Sequence, residues 1–275
     1  MDTQQLQFSI TYSQPQIIYP KSPLRYPGGK ARAVSQILAL IPKETQILIS
    51  PFFGGGSIEI AAAFRGIKVF GFDIFDPLVN FWKFLLRDSI ELANRVKTHY
   101  PLSKDKFYDL QKHDFSNSLE SAAVFYVLNR SSFSGATLSG GMSPGHPRFT
   151  LSSIAYLQNF KCENLFVEKQ DFKKTFQKYQ KELMYLDPPY LIKSTLYGKK
   201  GDAHKEFDHN GLYELLKKRD KWILSYNDCP EIRSLYFGYR YFSPNWKYGM
   251  SNDKNSRELI IISNDFSDIE WEKNG

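Results

Sequence analysis

Cysteine and histidine are scarce in this sequence. Of 275 residues, 2 are cysteines, Cys162 and Cys229, and they lie far apart in the chain. The five histidines show none of the spacings that metal sites use. We therefore expect two reduced thiols in or near the core, with neither a disulfide framework nor a metal site.

Long hydrophobic runs and targeting signals are lacking as well. No segment approaches the ~18 consecutive apolar residues that span a bilayer. Residues 1–19 lack the basic start and apolar centre of a signal peptide. The sequence predicts a cytoplasmic protein with no membrane partner, and residues 1–20 indicate no particular role.

The chain does carry an excess of positive charge and many aromatic rings. Its formal net charge is +7, and aromatic residues make up 16% of it. Lysine and arginine in excess suit a polyanionic partner, because each contact with a phosphate releases counterions. Charge alone is equally compatible with a basic protein that has no such partner.

The first half of the chain contains a βαβ pattern. Gln46–Ser50 is an apolar run typical of a buried strand, and the glycine-rich segment Pro51–Ser57 interrupts it. Ile58–Arg65 then predicts a helix and Lys68–Asp73 a second strand, followed by an apolar helix over Pro77–Leu86. This order predicts parallel strands joined by a right-handed crossover.

The middle of the chain has a different pattern. Glu91–His99 and Leu119–Asn129 predict helices, and Arg130–Thr150 is rich in Ser, Gly and Pro. We interpret this last segment as a long loop or irregular hairpin, and loops of that length are usually functional or mobile.

The α/β pattern resumes near residue 164, so one sheet would be assembled from two stretches of sequence. The predicted elements are strands at Leu165–Val167, Glu182–Leu186, Trp222–Tyr226 and Leu259–Ser263, with a helix at Leu212–Lys218.

The glycine-rich loop is a candidate ligand site. Glycines between a strand and a helix let a ligand approach the backbone and the free N–H groups of the helix. Asp73, at the end of the next strand, can accept hydrogen bonds from ribose hydroxyls. The loop has neither the GxGxxG spacing nor a Walker lysine, which favours an adenosyl group over NAD or ATP. The alternatives are a structural turn, and for Asp73 a helix N-cap.

A second candidate site is Asp187-Pro188-Pro189-Tyr190, which ends an apolar strand. Two prolines stop the strand and fix an extended bend. The Asp187 carboxylate and the Pro188 carbonyl can accept the two hydrogens of an adenine amino group, and Tyr190 can stack on the base. Near the N-terminus, Arg25–Lys30 (RYPGGK) allows a sharp turn, and Lys30 could pair with a carboxylate or be part of a basic turn only.

Together these motifs resemble those of the DNA adenine methylase (Dam-like) family. The match comprises Tyr26–Lys30, Pro51–Ser57, Phe72-Asp73 and Asp187–Tyr190, in the family's order. The resemblance implies an α/β fold, a Rossmann-like methyltransferase sheet with an inserted, mostly helical DNA target-recognition domain. The catalytic domain would comprise residues 22–88 and 160–275, and the insert residues 89–159.

The resemblance also implies roles for individual residues. Catalysis would use Asp187, Pro188, Pro189 and Tyr190. S-adenosylmethionine would be bound by Tyr26, Lys30, Phe53, Gly54, Gly56, Ser57, Asp73, Asp171, Phe172 and Asp187, with Lys30 on the methionine carboxylate and S-adenosylhomocysteine as product. DNA would be bound by Asn129, Arg130, Ser132, Phe133, Ser134 and Arg148.

The implied reaction is direct in-line methyl transfer to the N6 amino group of an adenine that is flipped out of double-stranded DNA. A cognate restriction endonuclease, acting separately, would be a further partner. Two alternatives remain open, an RNA adenine methyltransferase and a non-catalytic DNA-binding module. Gly140-Gly141 departs from the Dam-type pattern, so we predict no recognition sequence. Residues 193–205 predict a basic loop that could close over DNA or, equally, be a solvated loop with no such role.

Overall fold

The computed structural model describes residues 18–26, 28–143, 148–191, 207–243 and 258–266. These residues form a seven-stranded sheet in the order β3-β2-β1-β4-β5-β7-β6. The strands are β1 (Ile47–Ser50), β2 (Lys68–Asp73), β3 (Leu165–Lys169), β4 (Leu183–Leu186), β5 (Trp222–Asn227), β6 (Arg240–Phe242) and β7 (Glu258–Ile262). The predicted α/β class is thereby confirmed.

The sheet is parallel from β3 to β5 and antiparallel around β7. Strand β1 pairs in parallel with both β2 and β4, and β5 pairs in parallel with β4. The strand β7 lies between β5 and β6 and runs antiparallel to both. The sequence analysis predicted a strand at this position but not its direction.

Ten α-helices surround the sheet in the described part of the chain. They are α1 (Val34–Ala39), α2 (Ser57–Phe64), α3 (Asp76–Arg87), α4 (Ser89–Lys97), α5 (Lys104–Leu110), α6 (Leu119–Ser131), α7 (Leu151–Gln158), α8 (Phe172–Lys178), α9 (His209–Leu216) and α10 (Pro230–Leu235). None of the described helices is long and apolar enough to cross a membrane.

Alternating side chains of the strands bury two large hydrophobic clusters on opposite faces of the sheet. In β1, Leu48 belongs to one cluster and its neighbour Ile49 to the other. Strand β4 alternates in the same way, since Tyr185 joins the first cluster and Met184 the second. This alternation is the two-residue period of a strand that is covered on both sides.

The segment that was predicted to be an insert packs closely on the first half of the chain. Buried side chains of α4, α6 and α7, among them Leu92, Phe125 and Leu157, share one cluster with Phe81 and Trp82 of α3. These helices therefore share a core with the seven-stranded sheet. The domain bounds at residues 89 and 159 stay a prediction.

The segment Arg130–Thr150 is more ordered than a plain loop in its described part. Helix α6 continues through Ser131, a short 3-10 helix covers Phe133–Gly135, and an isolated antiparallel bridge joins Ser132 to Met142. Helix α7 follows at once, and it begins with a capping box in which Thr150 and Ser153 bond each other's backbone.

Candidate active site

The candidate site lies where four parallel strands end. The glycine-rich loop follows β1, Asp73 ends β2, Asp171 comes two residues after β3, and Asp187 follows β4 directly. Because the carboxyl ends of parallel strands meet at one edge of a sheet, the fold brings these motifs together there.

The glycine-rich loop makes a tight turn beneath the ring of Tyr26. Gly54 and Gly56 have φ values of 50° and 67°, in the left-handed region that favours glycine. A Cβ on Gly54 would lie 2.9 Å from the Tyr26 ring, and one on Gly55 would lie 2.6 Å from the Tyr26 Cβ. Positions 54 and 55 therefore require glycine, because a side chain at either would collide with Tyr26. Helix α2 begins immediately after the loop, at Ser57.

Asp73 joins the glycine loop to the end of β2. One of its carboxylate oxygens accepts a hydrogen bond from the Gly54 N–H and the other from the Phe75 N–H, each at 3.0 Å. Burial raises the pKa of this carboxyl. The N-cap residue of α3 is Phe75, so the alternative interpretation of Asp73 as that helix's N-cap is wrong.

Phe53 lies under the loop and belongs to the core. Its ring is 2% exposed and packs edge-to-face on Trp82 at 5.1 Å between centroids. A Cβ on Gly71 of β2 would lie 2.1 Å from this ring, and one on Gly56 would lie 2.7 Å from it. Phe53 therefore shapes the loop from below.

Lys30 is buried against the Asp-Pro-Pro-Tyr motif. Its Nζ lies 2.7 Å from both carboxylate oxygens of Asp187, 3.0 Å from a Glu258 oxygen and 3.0 Å from the Gly28 carbonyl. An ammonium group has three N–H donors, and these three residues supply acceptors for them. A methionine carboxylate on Lys30 would have to displace one of them.

Asp187 is the acid at the centre of this arrangement. Burial raises its pKa to about 6, the Lys30 ammonium opposes the rise, and the charge of Glu258 adds to it. Its side chain is nevertheless 22% exposed, so a ligand can reach it.

Tyr190 is held by three neighbours. Its hydroxyl donates a hydrogen bond to Glu258. Its ring stacks on Tyr226 at 6.0 Å between centroids, and the Lys30 ammonium lies 5.0 Å from the ring centroid. The Tyr226 hydroxyl in turn bonds the imidazole of His209. Stacking of Tyr190 on a base stays a prediction.

The sequence analysis missed two buried acids, Glu258 and Glu59. Glu258, the first residue of β7, is 3% exposed. Glu59 of α2 accepts a 2.6 Å hydrogen bond from Ser50, and burial raises its pKa to about 7. Glu59 interrupts an otherwise apolar run, which is the signal that could have identified it, whereas Glu258 only precedes such a run.

Asp171 and Phe172 begin α8 on the other side of the glycine loop. Asp171 is the N-cap and accepts a hydrogen bond from the Lys173 N–H at 2.8 Å. The Phe172 ring lies 5.4 Å from both Phe52 and Phe207, measured between centroids. The two additional rings were not predicted from the sequence.

Two of the predicted DNA-binding residues are buried. Asn129 clamps the backbone of Arg25: its amide oxygen accepts from the Arg25 N–H, and its amide nitrogen donates to the Arg25 carbonyl, each at 2.8 Å. The Ser132 hydroxyl accepts from the Thr137 N–H at 3.0 Å. We therefore expect Asn129 and Ser132 to position the residues around them rather than to contact DNA directly.

The other predicted DNA-binding residues lie nearer the surface. Phe133 is 61% exposed, and Arg148 is exposed as well. Arg130 donates to the backbone carbonyls of Arg148 and Pro23, at 3.1 and 3.5 Å. The side chain of Ser134 and the basic loop 193–205 lie outside the described residues.

Comparisons with known proteins identify the family of this chain. Fold and site are those of an α/β protein with a nucleotide-type loop beside a buried acid. A family model described as D12 class N6 adenine-specific DNA methyltransferase matches residues 26–250. The chain therefore belongs to this family, which confirms the resemblance inferred from its motifs.

Two curated relatives are described as methylases. The chain is 30% identical over 207 residues to modification methylase StsI of Streptococcus sanguinis, covering 66% of this chain and 31% of that protein. It is 25% identical over 217 residues to type II methyltransferase M.FokI of Planomicrobium okeanokoites, covering 72% and 33%. The chain thus spans about a third of the length of these relatives.

A solved structure with a slight likeness is a precorrin 8W decarboxylase from Methanobacterium thermoautotrophicum. It is 13% identical, with a TM-score of 0.36 over 88% of this chain and 95% of that one. A similarity of this size adds nothing to the family match.

Proposed function

We propose that this protein is a site-specific, S-adenosylmethionine-dependent DNA methyltransferase that methylates the N6 amino group of adenine in double-stranded DNA. The observation that carries the proposal is the position of Asp187. It starts an Asp-Pro-Pro-Tyr motif at the carboxyl edge of the sheet, 2.7 Å from Lys30 and beside the glycine loop. The family match supports the same reaction.

The residues at this edge fit an adenosyl cofactor. The backbone of the loop turns through Gly54 and Gly56, α2 begins behind it, and the carboxylate of Asp73 closes one side. A helix N-terminus and a ribose-binding acid are common parts of nucleotide sites. When bound, S-adenosylmethionine supplies the methyl group, and S-adenosylhomocysteine is the product.

The catalytic motif would hold the target amino group. Asp187 and the carbonyl of Pro188 can each accept one N–H of an exocyclic amine, which directs the nitrogen lone pair away from both acceptors. Positioning and preoriented acceptors are large terms in catalysis. The acceptor role needs the carboxylate form of Asp187, and its pKa of about 6 makes that the main form at neutral pH.

The target base would leave the double helix to reach this motif. An amino group inside a duplex is not accessible to a buried acid, so enzymes of this kind flip the nucleotide out of the stack. Arg130 and Arg148 would hold phosphates beside the site, and the net charge of +7 favours DNA overall. By analogy with relatives described as modification methylases, we propose a separately acting restriction endonuclease as partner, and a cytoplasmic location.

The direct test is transfer of tritium from labelled S-adenosylmethionine to unmethylated genomic DNA. Wild type is compared with Asp187→Ala and with Asp109→Ala, a variant that loses an exposed acid paired with Lys112. Total RNA serves as a parallel substrate, and the labelled nucleoside is identified after hydrolysis.

We expect label on N6-methyladenine from DNA with wild type and Asp109→Ala, and a loss of at least ~100-fold with Asp187→Ala. Label on RNA alone would replace DNA by RNA as the substrate. DNA binding with no label on either nucleic acid would favour the non-catalytic alternative.

A further inference from the structure

A single buried ammonium links two carboxylates from distant parts of the chain. The Lys30 Nζ lies 2.7 Å from Asp187, which follows β4, and 3.0 Å from Glu258, which begins β7. The side chains of Lys30 and Glu258 are 3% and 2% exposed. A change of charge on Glu258 therefore changes the electrostatic environment of the Asp187 carboxylate through Lys30, with little screening by water.

Glu258 has a second contact with the motif. It accepts the hydrogen bond of the Tyr190 hydroxyl. Its neighbour across the sheet is Asn227 of β5, whose side chain accepts from the Leu191 N–H and donates to the Leu191 carbonyl, each at 3.0 Å. The paired strands β5 and β7 thus hold the end of the Asp-Pro-Pro-Tyr motif at two successive residues.

Stabilisation of the fold alone does not account for this arrangement well. Removing charges from water is costly, and apolar side chains of similar volume often replace a buried ion pair without loss of stability. Here both Asp187 and Glu258 lie within 3.0 Å of one ammonium, so carboxylates outnumber cations in this cluster of described residues. Such an excess tunes a titratable group, and strongly perturbed acids cluster at functional sites.

We propose that Glu258 is a positioning residue of the active site: it sets the charge state of Asp187 through the shared Lys30 ammonium, and it fixes Tyr190 through the tyrosine hydroxyl. This inference rests on the proposed methyltransferase function for its meaning in catalysis. The electrostatic coupling itself can be measured without any methyl transfer.

The direction of the coupling follows from the groups around Asp187. Lys30 lowers its pKa, Glu258 raises it, and burial raises it most; Glu59, Tyr185 and Tyr26 also face this carboxyl. Removing the charge of Glu258 removes one of the interactions that raise the pKa of Asp187. The carboxylate of Asp187 should then persist to lower pH.

The experiment compares wild type with Glu258→Gln, which keeps an acceptor for Tyr190, and with Glu258→Leu, which keeps none. Glu163→Gln, on the exposed segment before β3, is the control. The carboxyl resonance of Asp187 is followed by ¹³C NMR against pH, and its assignment is made by its loss in Asp187→Asn. Methyl-transfer rates at saturating DNA are measured over the same pH range.

We expect the midpoint of Asp187 to fall by ~1 pH unit in Glu258→Gln, and the acid limb of the rate profile to move with it. At high pH, Glu258→Gln should keep most of its kcat, whereas Glu258→Leu should lose ~10-fold because Tyr190 is released. Glu163→Gln should match wild type in both measurements. Lys30→Gln removes the shared ammonium and should raise the midpoint, which tests only the part of the coupling that lies between Lys30 and Asp187.

An unchanged Asp187 midpoint in Glu258→Gln would overturn the inference, whether or not the protein transfers methyl groups. If the Asp187 midpoint falls in Glu258→Gln but the wild type labels neither DNA nor RNA, the proposed function is overturned and the coupling is established. Equal kcat in Glu258→Gln and Glu258→Leu at high pH would refute the role of the Tyr190 contact.

Discussion

Glu59 shows how a single residue of this site affects stability. It lies in α2, where its neighbours Ile58 and Ile60 are buried with it, and its side chain bonds Ser50. Burial raises its pKa from 4.5 to about 7. A raised pKa in an acid means that the folded state binds the proton more tightly than the unfolded state, so stability is lost as the pH rises through this window.

We therefore predict that Glu59→Gln gains stability relative to wild type as the pH rises. Between about pH 5 and about pH 8 the free energy of unfolding of the variant should improve by ~2 kcal/mol relative to wild type, because only wild type must ionise an acid at this buried position. Urea denaturation without cofactor measures this, with Glu163→Gln as the control. A difference that stays constant with pH would show that Glu59 ionises as readily in the folded state as in the unfolded one.

The residues that sequence reasoning identified and those that it missed differ in how local their signals are. Asp73 and Asp187 each follow a recognisable apolar strand, so the pattern alone predicts their place at the carboxyl edge. Glu258 reaches Lys30 only because β7 inserts between β5 and β6. That pairing joins segments more than 30 residues apart in sequence, and no local pattern encodes it.

At the scale of elements, the glycine loop depends on the strand beneath it. Gly71 of β2 leaves room for the ring of Phe53, and this ring also lies under Gly56. The Phe53 N–H donates to the Phe72 carbonyl at 2.9 Å, which ties the loop to the same strand. A side chain at position 71 of β2 would therefore displace both the loop and the start of α2.

Gly71→Ala should destabilise the protein and weaken cofactor binding. The added Cβ would lie 2.1 Å from the Phe53 ring, and overpacking of this kind costs ~1–3 kcal/mol. Gly141→Ala is the matched control, because its Cβ would lie 3.6 Å from the Tyr108 hydroxyl, which is an ordinary contact distance. Thermal unfolding and calorimetric titration with S-adenosylhomocysteine measure the two effects, and equal behaviour of both variants would contradict the role given to Gly71.

Most strands could be predicted from the sequence, and several helices could not. The predicted strands agree with β1 to β5 and β7 to within a few residues, since buried parallel strands are continuous apolar runs. Helices α7 and α8 were not predicted, and their eight and seven residues show little periodicity. Their caps, Thr150 and Asp171, were the remaining local signal.

At the scale of the whole molecule, the net positive charge of the chain has to be distinguished from a local cluster of arginines. The net charge of +7 attracts DNA from any direction. Arg25, Arg130 and Arg148 come from three segments. Burial lowers the pKa of Arg25 and of Arg130, and repulsion by the neighbouring arginines lowers it further. Arginines that lie close together despite their mutual repulsion are typical of a surface that binds an anion.

Arg148→Ala should therefore weaken DNA binding more than an equal loss of charge elsewhere. If Arg148 contacts one phosphate, the slope of log K against log salt concentration should fall by about 1. Arg240→Ala, which removes an exposed arginine of β6, lowers the net charge equally and should leave that slope nearly unchanged. Fluorescence anisotropy with a labelled duplex, measured over a range of salt concentrations, gives both slopes. Equal slopes for the two variants would mean that Arg148 acts only through the overall charge of the protein, and the phosphate-binding surface would then have to be sought elsewhere.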